Sequence, residues 1–257
     1  MTRVVILAGG FGTRLSEETK IIPKPMVEIG GMPIIRHIMK IYSHYGFNDF
    51  IVCLGYKGDV IKKYFTDYFL SASDVTFDLK NNTVTYDNSK AEPWKITLVD
   101  TGLKTMTGGR IKRLKERLGS EPFFVAYGDC VSDVDINELL KFHKKKKAEA
   151  TLTSVIPDGR FGVLDIKEGM VTEFREKQPS DVGWINGGFM VLEPSVLDRI
   201  DNDDVMLEVG PLGKIAEEGK LAAYQHKGFW KCMDTLKDKT DLEKMWEEGP
   251  KWKIWKD

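Results

Sequence analysis

The sequence contains few cysteines and histidines, with three cysteines and four histidines among 257 residues. Three cysteines are too few for a disulfide framework, and the scattered histidines show no spacing typical of a zinc site. No apolar run approaches the ~20 residues that cross a bilayer, and the N-terminus lacks the charged and apolar regions of a signal peptide. These absences predict a cytoplasmic protein without a membrane partner.

The sequence also lacks an excess of charge of either sign, with 38 basic and 39 acidic residues. A general nucleic-acid binder or membrane-surface binder would carry a basic excess, so neither partner is expected. The hydrophobic content of 42% is sufficient for a substantial core. No internal repeat, low-complexity tract or Pro/Ser-rich linker interrupts the chain, which favours one domain spanning residues 1–257.

The N-terminal stretch, residues 4–25, carries the clearest functional pattern. Residues 4–8 form a continuous apolar run typical of a buried parallel strand. Glycines directly after such a strand allow backbone N–H groups to approach an anion closely, and an arginine and a lysine follow within reach. The pattern predicts a polyphosphate site. The residues expected there are Gly9, Gly10, Gly12, Thr13, Arg14 and Lys24.

Two common phosphate-binding motifs are excluded. A Walker A loop requires Gly-Lys-Ser/Thr, and the Gly-Lys pairs at 213–214 and 219–220 lack the Ser or Thr and lie far downstream. The dinucleotide motif G-x-G-x-x-G also fails, because its third glycine position, counted from Gly10, holds Leu15. The loop therefore belongs to another class of phosphate site.

Strand and helix patterns alternate along the first part of the chain. This alternation is the βαβ signature of a parallel sheet, and nucleotides bind at the carboxyl ends of such strands. From Ala150 onward strands dominate, which indicates a sheet extension for a second ligand. The predicted strands are 4–8, 50–54, 75–77, 83–86, 96–99, 123–127, 151–156, 163–166, 171–174 and 184–191, with 75–77, 83–86 and 96–99 antiparallel. The predicted helices are 33–46, 60–65, 111–118, 136–147, 211–218 and 242–246.

Three tryptophans near the C-terminus, Trp246, Trp252 and Trp255, are predicted to be packing or subunit-interface anchors rather than ligand contacts. The tail has more apolar area than one small domain needs to expose. This surplus predicts a homo-oligomer.

Two aspartates follow apolar or aromatic segments. Asp129 comes after a buried strand and a glycine, and Asp234 follows Phe229-Trp230-Lys231-Cys232-Met233. An aspartate after a strand is more often a capping residue than a metal ligand. Beside a polyphosphate site the metal role is favoured, because Mg²⁺ takes oxygen ligands and shares them with substrate phosphates.

A series of motifs resembles the sugar-1-phosphate nucleotidyltransferase family, and most closely its glucose-1-phosphate cytidylyltransferases. The motifs are L-A-G-G-F-G-T-R-L, P-K-P-M-V-E-I-G-G, T-G-G-R, Y-G-D, G-R-F-G-V-L-D, F-R-E-K, I-N-G-G-F and F-W-K-C-M-D-T. They occur in family order across roughly residues 3–257. The resemblance implies a Rossmann-like three-layer α/β/α fold, similar to the GT-A fold, with a mostly parallel central sheet and an added small antiparallel sheet.

The resemblance also implies the reaction. The enzyme would transfer the cytidylyl group of CTP to α-D-glucose 1-phosphate with Mg²⁺ as cofactor, giving CDP-glucose and pyrophosphate. The product would serve the biosynthesis of deoxysugars, O-antigen or other cell-surface polysaccharides. Residues 1–130 would bind the nucleotide, and residues 131–257 would bind the sugar phosphate.

Site residues follow from the matching motif positions. The implied nucleotide-binding residues are Leu7, Ala8, Gly9, Gly10, Gly12, Thr13, Arg14, Lys24, Thr107, Gly108, Gly109, Arg110 and Asp129. The implied sugar-phosphate residues are Gly162, Glu176, Lys177, Asn186 and Gly187. Arg14, Lys24 and Lys177 would be catalytic, and Asp129 and Asp234 would hold the Mg²⁺.

Four positions depart from the usual family pattern: Ile22, Cys130, Gln178 and Leu207 replace Lys, Gly, Pro and Trp respectively. They leave open another nucleoside triphosphate or another sugar 1-phosphate as substrate. A non-catalytic binding domain with this fold is a further alternative. Such a domain would be expected to lack Arg14, Lys24 or one of the two aspartates, and all four residues are present.

Overall fold

The computed structural model describes residues 2–157, 163–167, 170–175 and 183–256. Helices and strands alternate through the first 146 residues. The helices are α1 (Ser16–Thr19), α2 (Ile34–His44), α3 (Gly58–Ser71), α4 (Thr107–Lys112), α5 (Lys115–Leu118), α6 (Ile136–Lys146), α7 (Pro211–Glu217) and α8 (Leu236–Glu248). The strands are β1 (Val4–Leu7), β2 (Glu28–Ile29), β3 (Met32–Pro33), β4 (Asp49–Leu54), β5 (Asp74–Asp78), β6 (Thr83–Asp87), β7 (Lys95–Asp100), β8 (Phe123–Tyr127), β9 (Cys130–Ser132), β10 (Ala150–Val155), β11 (Val163–Lys167), β12 (Met170–Arg175), β13 (Ile185–Asn186), β14 (Met190–Leu192), β15 (Leu221–Gln225) and β16 (Trp230–Cys232).

Within these ranges, eight strands form the central sheet in the order β13-β10-β14-β8-β1-β4-β7, with β15 added on β10. Strand β1 lies between β4 and β8 and is parallel to both. Strand β7 is parallel to β4, so the strand predicted at 96–99 is present but its predicted antiparallel pairing is wrong. The strand lies beside β4 because helix α3 and the β5–β6 hairpin form the crossover that a parallel connection requires.

Alternate side chains of β1 face opposite layers. Val4 and Ile6 pack with residues of α2, α3, α6 and α8, whereas Val5 and Leu7 pack with residues of α4, α5 and α7. A strand covered on both faces is apolar throughout, which explains the continuous run seen in the sequence. The predicted three-layer α/β/α arrangement with a mostly parallel central sheet is confirmed.

The small strands lie outside the central sheet, as two-stranded antiparallel pairs β2–β3, β5–β6, β9–β16 and β11–β12 among the described residues. The pair β9–β16 matters for the site, because β9 begins just after β8 ends and β16 comes from near the C-terminus. It therefore brings the chain around Asp234 beside the carboxyl end of the central strand β8.

The strand predicted at 184–191 is interrupted. Gly188 and Phe189 have φ angles of +74° and +43°, and the backbone leaves the β region between β13 and β14. Gly187 is held against the neighbouring strand, where its N–H donates to the Thr153 carbonyl at 2.8 Å. A Cβ on Gly187 would lie 2.9 Å from the Val155 side chain. The break depends on this close approach, which periodicity does not indicate.

The C-terminal tryptophans pack inside the chain. Trp252 is fully buried and Trp255 is 8% exposed, and both rings contact His37 of α2. The packing role predicted for them agrees with this burial. The premise that the tail exposes surplus apolar area is wrong, so these side chains give no support to a homo-oligomer, which stays a prediction. Within the described ranges, no helix has the length and apolar character needed to cross a membrane.

The Trp252 contact gives His37 a fixed tautomer. The indole Nε1–H donates to His37 Nδ1 at 3.2 Å, so Nε2 carries the proton and donates to the carbonyls of Ile29 and Met32 at 2.9 and 3.2 Å. Burial, opposed by these two backbone hydrogen bonds, lowers the pKa of His37 to about 4.

We expect stability to fall between pH 7 and pH 5. The unfolded chain takes up the His37 proton near pH 6.5 and the folded chain only near pH 4, so the stabilisation is complete above pH 6.5 and is lost as the pH falls. The loss from pH 7 to pH 5 should be about 2 kcal/mol. Urea unfolding at both pH values measures it. His37→Gln should remove most of the difference and the exposed control His44→Gln should not; equal differences in all three proteins would contradict the assignment.

Candidate active site

A cavity of about 1190 Å³ opens at the carboxyl ends of β1 and β8. It brings together residues from widely separated regions of the sequence. Its walls include Leu7, Ala8, Gly9, Gly10, Phe11, Gly12, Thr13, Arg14, Lys24, Thr107, Arg110, Asp129, Asn186 and Asp234. The structure thus places most of the predicted nucleotide and metal residues around one space.

The glycine loop after β1 is held from outside the cavity. Thr19 Oγ1 donates to the Gly12 carbonyl at 3.0 Å, and Gly12 has a φ of +64°, a conformation that favours glycine. Among the described residues, the amides of Gly10, Phe11 and Gly12 donate to no protein acceptor. They are therefore available to an anionic ligand at the end of the strand.

Arg110 supports this loop from beneath. Its guanidinium donates to the carbonyls of Gly9, Leu54 and Gly102 at 3.0, 3.0 and 2.7 Å, and to Thr101 Oγ1 at 2.8 Å. A Cβ at Gly9 would lie 2.2 Å from the guanidinium, so glycine is needed for the contact. The residue is 5% exposed, and burial lowers its pKa. The structure gives Arg110 a positioning role, and its contact with a nucleotide stays a prediction.

Two other predicted glycines, Gly108 and Gly109, lie behind the cavity wall. A Cβ at Gly108 would lie 2.7 Å from the Val205 carbonyl oxygen, and one at Gly109 would lie 2.6 Å from Asp203 Cα. Both amides also donate to the Val205 carbonyl, at 3.0 and 3.3 Å. Because these two residues lack side chains, α4 can pack closely against residues 203–207. This packing places Thr107 at the edge of the cavity.

The P-K-P motif fixes Lys24 in the cavity wall. Residues Lys24–Met26 form a 3₁₀ turn, with Pro23 before it and Pro25 inside it, and proline restricts φ at both positions. A Cβ at Gly128 would lie 3.0 Å from the Pro25 ring. This close packing holds the lysine next to the residue that follows Gly128, which is Asp129.

Lys24 lies between the two aspartates. Its Nζ donates to Asp129 Oδ2 at 2.6 Å and to Asp234 Oδ1 at 2.7 Å. Arg14 Nη1 donates to the other oxygen, Asp234 Oδ2, at 2.9 Å. Burial acts to lower the pKa of Lys24, but the charge of Asp129 and the hydrogen bonds to both carboxylates outweigh it, so this pKa is raised well above 10.5. The ammonium is fully charged at neutral pH.

The two carboxylates fit a hard divalent cation. They lie 105 positions apart, at 129 and 234 of the sequence, yet both direct an oxygen at the same ammonium group. Without a cation between them they would repel by about 4 kcal/mol, taking charges about 4 Å apart and an effective dielectric constant of about 20. Oxygen donors converging on one point are the ligands that Mg²⁺ prefers.

A hydrogen-bonded chain crosses the floor of the cavity. Asn186 Nδ2 donates to the Tyr127 hydroxyl at 3.1 Å, the Tyr127 hydroxyl donates to Glu208 at 2.6 Å, and Thr107 Oγ1 donates to the same carboxylate at 2.7 Å. Burial and the Glu208 charge raise the pKa of Tyr127. These hydrogen bonds link Asn186, which was predicted to bind the sugar phosphate, with Thr107, which was predicted to bind the nucleotide.

Sequence reasoning missed several residues of this cavity. Tyr127 lies inside the Y-G-D motif and lines the cavity, and Glu208 accepts its hydrogen bond; neither residue was given a role. Phe11, Leu103 and Met106 line the cavity with their side chains about half exposed. Large apolar residues indicate a ligand site only after the fold has placed them on a cavity wall, so the sequence did not mark these three. Gly162, Glu176 and Lys177 lie outside the described residues, so the predictions about them stay predictions.

The chain is similar to known nucleotidyltransferases over nearly its whole length. The chain matches the family model described as nucleotidyl transferase over residues 3–248. It is 55% identical over 255 residues to glucose-1-phosphate cytidylyltransferase of Salmonella typhimurium, covering 98% of this chain and 99% of that protein. It is 45% identical over 263 residues to a probable glucose-1-phosphate cytidylyltransferase of Bacillus subtilis, covering 98% and 100%.

Solved structures show the same fold at lower identity. UDP-glucose pyrophosphorylase from Acinetobacter baumannii is 18% identical and has a TM-score of 0.71, covering 98% of this chain and 95% of that one. HddC from Yersinia pseudotuberculosis is 24% identical with a TM-score of 0.69, covering 96% and 100%. The family resemblance of the motifs is therefore confirmed, and the chain belongs to the nucleotidyl transferase family.

Proposed function

We propose that the protein transfers the cytidylyl group of CTP to α-D-glucose 1-phosphate, giving CDP-glucose and pyrophosphate. The observation that carries the proposal is the convergence of the glycine loop, Arg14 and Lys24 on the carboxylates of Asp129 and Asp234 in one cavity. The choice of CTP and glucose 1-phosphate is supported by the 55% identity over nearly the whole chain to glucose-1-phosphate cytidylyltransferase.

The reaction joins two anions, and the residues of the cavity address that difficulty. An oxygen of the sugar 1-phosphate attacks the α-phosphorus of CTP, a P–O bond forms, and the bond from that phosphorus to pyrophosphate breaks. No general base is required, because the attacking phosphate is already ionised at neutral pH. Catalysis therefore rests on positioning and on charge stabilisation.

The amides of residues 10–12 and the exposed cation of Arg14 would bind the nucleotide phosphates. Lys24 would neutralise the charge that grows at the α-phosphorus. Asp129 and Asp234 would hold Mg²⁺, which supplies charge neutralisation at the phosphate oxygens when bound. Lys177, with Glu176 and Gly162, is proposed for the sugar phosphate on the family resemblance.

The half-buried position of Tyr127 and its hydrogen bond from Asn186 support a sugar-facing role for these hydrogen-bonded residues. A cytoplasmic location, a homo-oligomeric state and a place in cell-surface polysaccharide synthesis stay predictions that rest on the sequence and on the family.

Substrate choice is the first expected outcome. With glucose 1-phosphate, CTP should be turned over far faster than dTTP, UTP or GTP, and pyrophosphate release across a grid of nucleoside triphosphates and sugar 1-phosphates measures this. Equal use of UTP would contradict the choice of base and leave the reaction class standing. No pyrophosphate release with any pair, from folded enzyme with Mg²⁺, would contradict catalysis.

The second expected outcome concerns the replacement of Lys24. Lys24→Met removes the cation at the reacting phosphate, so kcat should fall about 10²–10³-fold, the loss typical of one well-placed donor. Lys231→Met is the matched control, because Lys231 also pairs with an aspartate, Asp241, at 3.0 Å. Steady-state kinetics at saturating substrate should show a large loss in the first variant alone. Equal losses in the two would assign Lys24 a structural role.

A further inference from the structure

Two cysteines face each other at the edge of the cavity. Cys130 begins β9 and Cys232 ends β16, directly opposite in the antiparallel register. The next pair along the ladder is hydrogen-bonded, since the Met233 amide donates to the Asp129 carbonyl at 2.9 Å. Because pairs alternate, Cys130 and Cys232 form a non-hydrogen-bonded pair, in which Cα atoms are about 4.5 Å apart and the side chains are closest.

Asp129 adds a third donor to the two thiols. The Sγ atoms of Cys130 and Cys232 and a carboxylate oxygen of Asp129 all lie within 4.8 Å of one another. Cys130 Sγ–H donates to Asp129 Oδ1 at 3.2 Å, whereas Asp129 Oδ2 accepts from Lys24 at 2.6 Å. One oxygen of the Asp129 carboxylate thus faces the Cys130 thiol, and the other faces the Lys24 ammonium group.

We propose that Cys130, Cys232 and Asp129 form a binding site for a thiophilic divalent cation such as Zn²⁺. Thiolate and carboxylate are both zinc ligands. Two sulfurs at about 2.3 Å from a tetrahedral zinc lie about 3.8 Å apart, which is compatible with three donor atoms that lie within 4.8 Å of one another. Each thiol releases its proton to solvent as its sulfur binds the metal, and no oxidation is involved. All three residues line the cavity, so water could supply a fourth ligand.

Charge and access both suit a cation here. The bound state has three negative ligands, matched by the two charges of Zn²⁺ and the single charge of Lys24 beside Asp129. Cys130 is buried and Cys232 is half-buried, and both line the cavity, which gives the metal a route from solvent. Mg²⁺ would not compete well for this set, because it prefers oxygen ligands.

Occupation of this site would affect catalysis through Asp129. A carboxylate held by zinc beside the two sulfurs is withdrawn from the pair that it forms with Asp234. Zinc is therefore a predicted inhibitor at concentrations well below those of Mg²⁺. Binding of the metal does not depend on the proposed reaction, whereas its inhibition rests on it.

Co²⁺ is the probe for binding, because thiolate ligation gives Co²⁺ an intense charge-transfer absorption in the near ultraviolet. The reduced, full-length protein should bind one Co²⁺ with this absorption, and Zn²⁺ should displace it. Cys232→Ala should abolish the absorption, while Cys53→Ala, which removes a thiol buried elsewhere in the sheet, should keep it. Far-ultraviolet circular dichroism checks folding, and Cys232→Ser repeats the test if the alanine variant fails to fold.

Zinc inhibition is measured in the Mg²⁺-dependent assay. The zinc concentration for half inhibition should rise more than about 10-fold in Cys232→Ala, since even partners that only orient a ligand contribute that much to affinity. Absence of the thiolate absorption in the wild type, or its survival in both Cys232 variants, would overturn the site. Unchanged zinc inhibition in Cys232→Ala would overturn the inhibitory role. Thiolate absorption in an enzyme that proves inactive would support the site and contradict the proposed reaction.

Discussion

The structure of the site depends on one ammonium group shared by two carboxylates. Lys24 lies 2.6 Å from Asp129 and 2.7 Å from Asp234, and the three residues come from three distant segments. The lysine offsets a repulsion that would otherwise oppose their approach. The same convergence of oxygens is what a divalent cation requires. The interaction that holds the three residues together therefore also arranges the carboxylates for the proposed Mg²⁺.

Much of the surrounding structure keeps these groups in place. Pro25 packs on Gly128 to hold Lys24, the β9–β16 pair carries Asp234 to the cavity, and the Arg110 guanidinium donates to the Gly9 carbonyl beneath the loop. Asp129 contacts both Lys24 and the thiol of Cys130, so it joins the proposed phosphate site to the cysteine pair. A change at the sulfurs would therefore reach the carboxylate that is proposed to hold Mg²⁺.

The sequence predicted the fold class and the main elements because they depend on local pattern. The apolar run of β1 and the helical face of α2 are buried as their periodicity indicates. The pairing of strand β7 was predicted wrongly, since it depends on the crossover through α3 rather than on the residues of the strand. Tyr127 and Glu208 gained a role only when the fold brought them together. The sequence likewise did not indicate the supporting role of Arg110, because an arginine that supports a loop and one that contacts a ligand look the same in a sequence.

The central claim is that Lys24 occupies the point on which Asp129 and Asp234 converge to hold a divalent cation. Its most direct test is Mn²⁺ binding to the substrate-free enzyme, followed by electron paramagnetic resonance. Lys24→Met should bind Mn²⁺ more tightly than the wild type, because the competing ammonium is gone. Asp129→Asn and Asp234→Asn should each bind more weakly, and the double variant should be little weaker than either, because the two residues form one site. Mn²⁺ affinity that is unchanged in Lys24→Met and in both aspartate variants would contradict the claim.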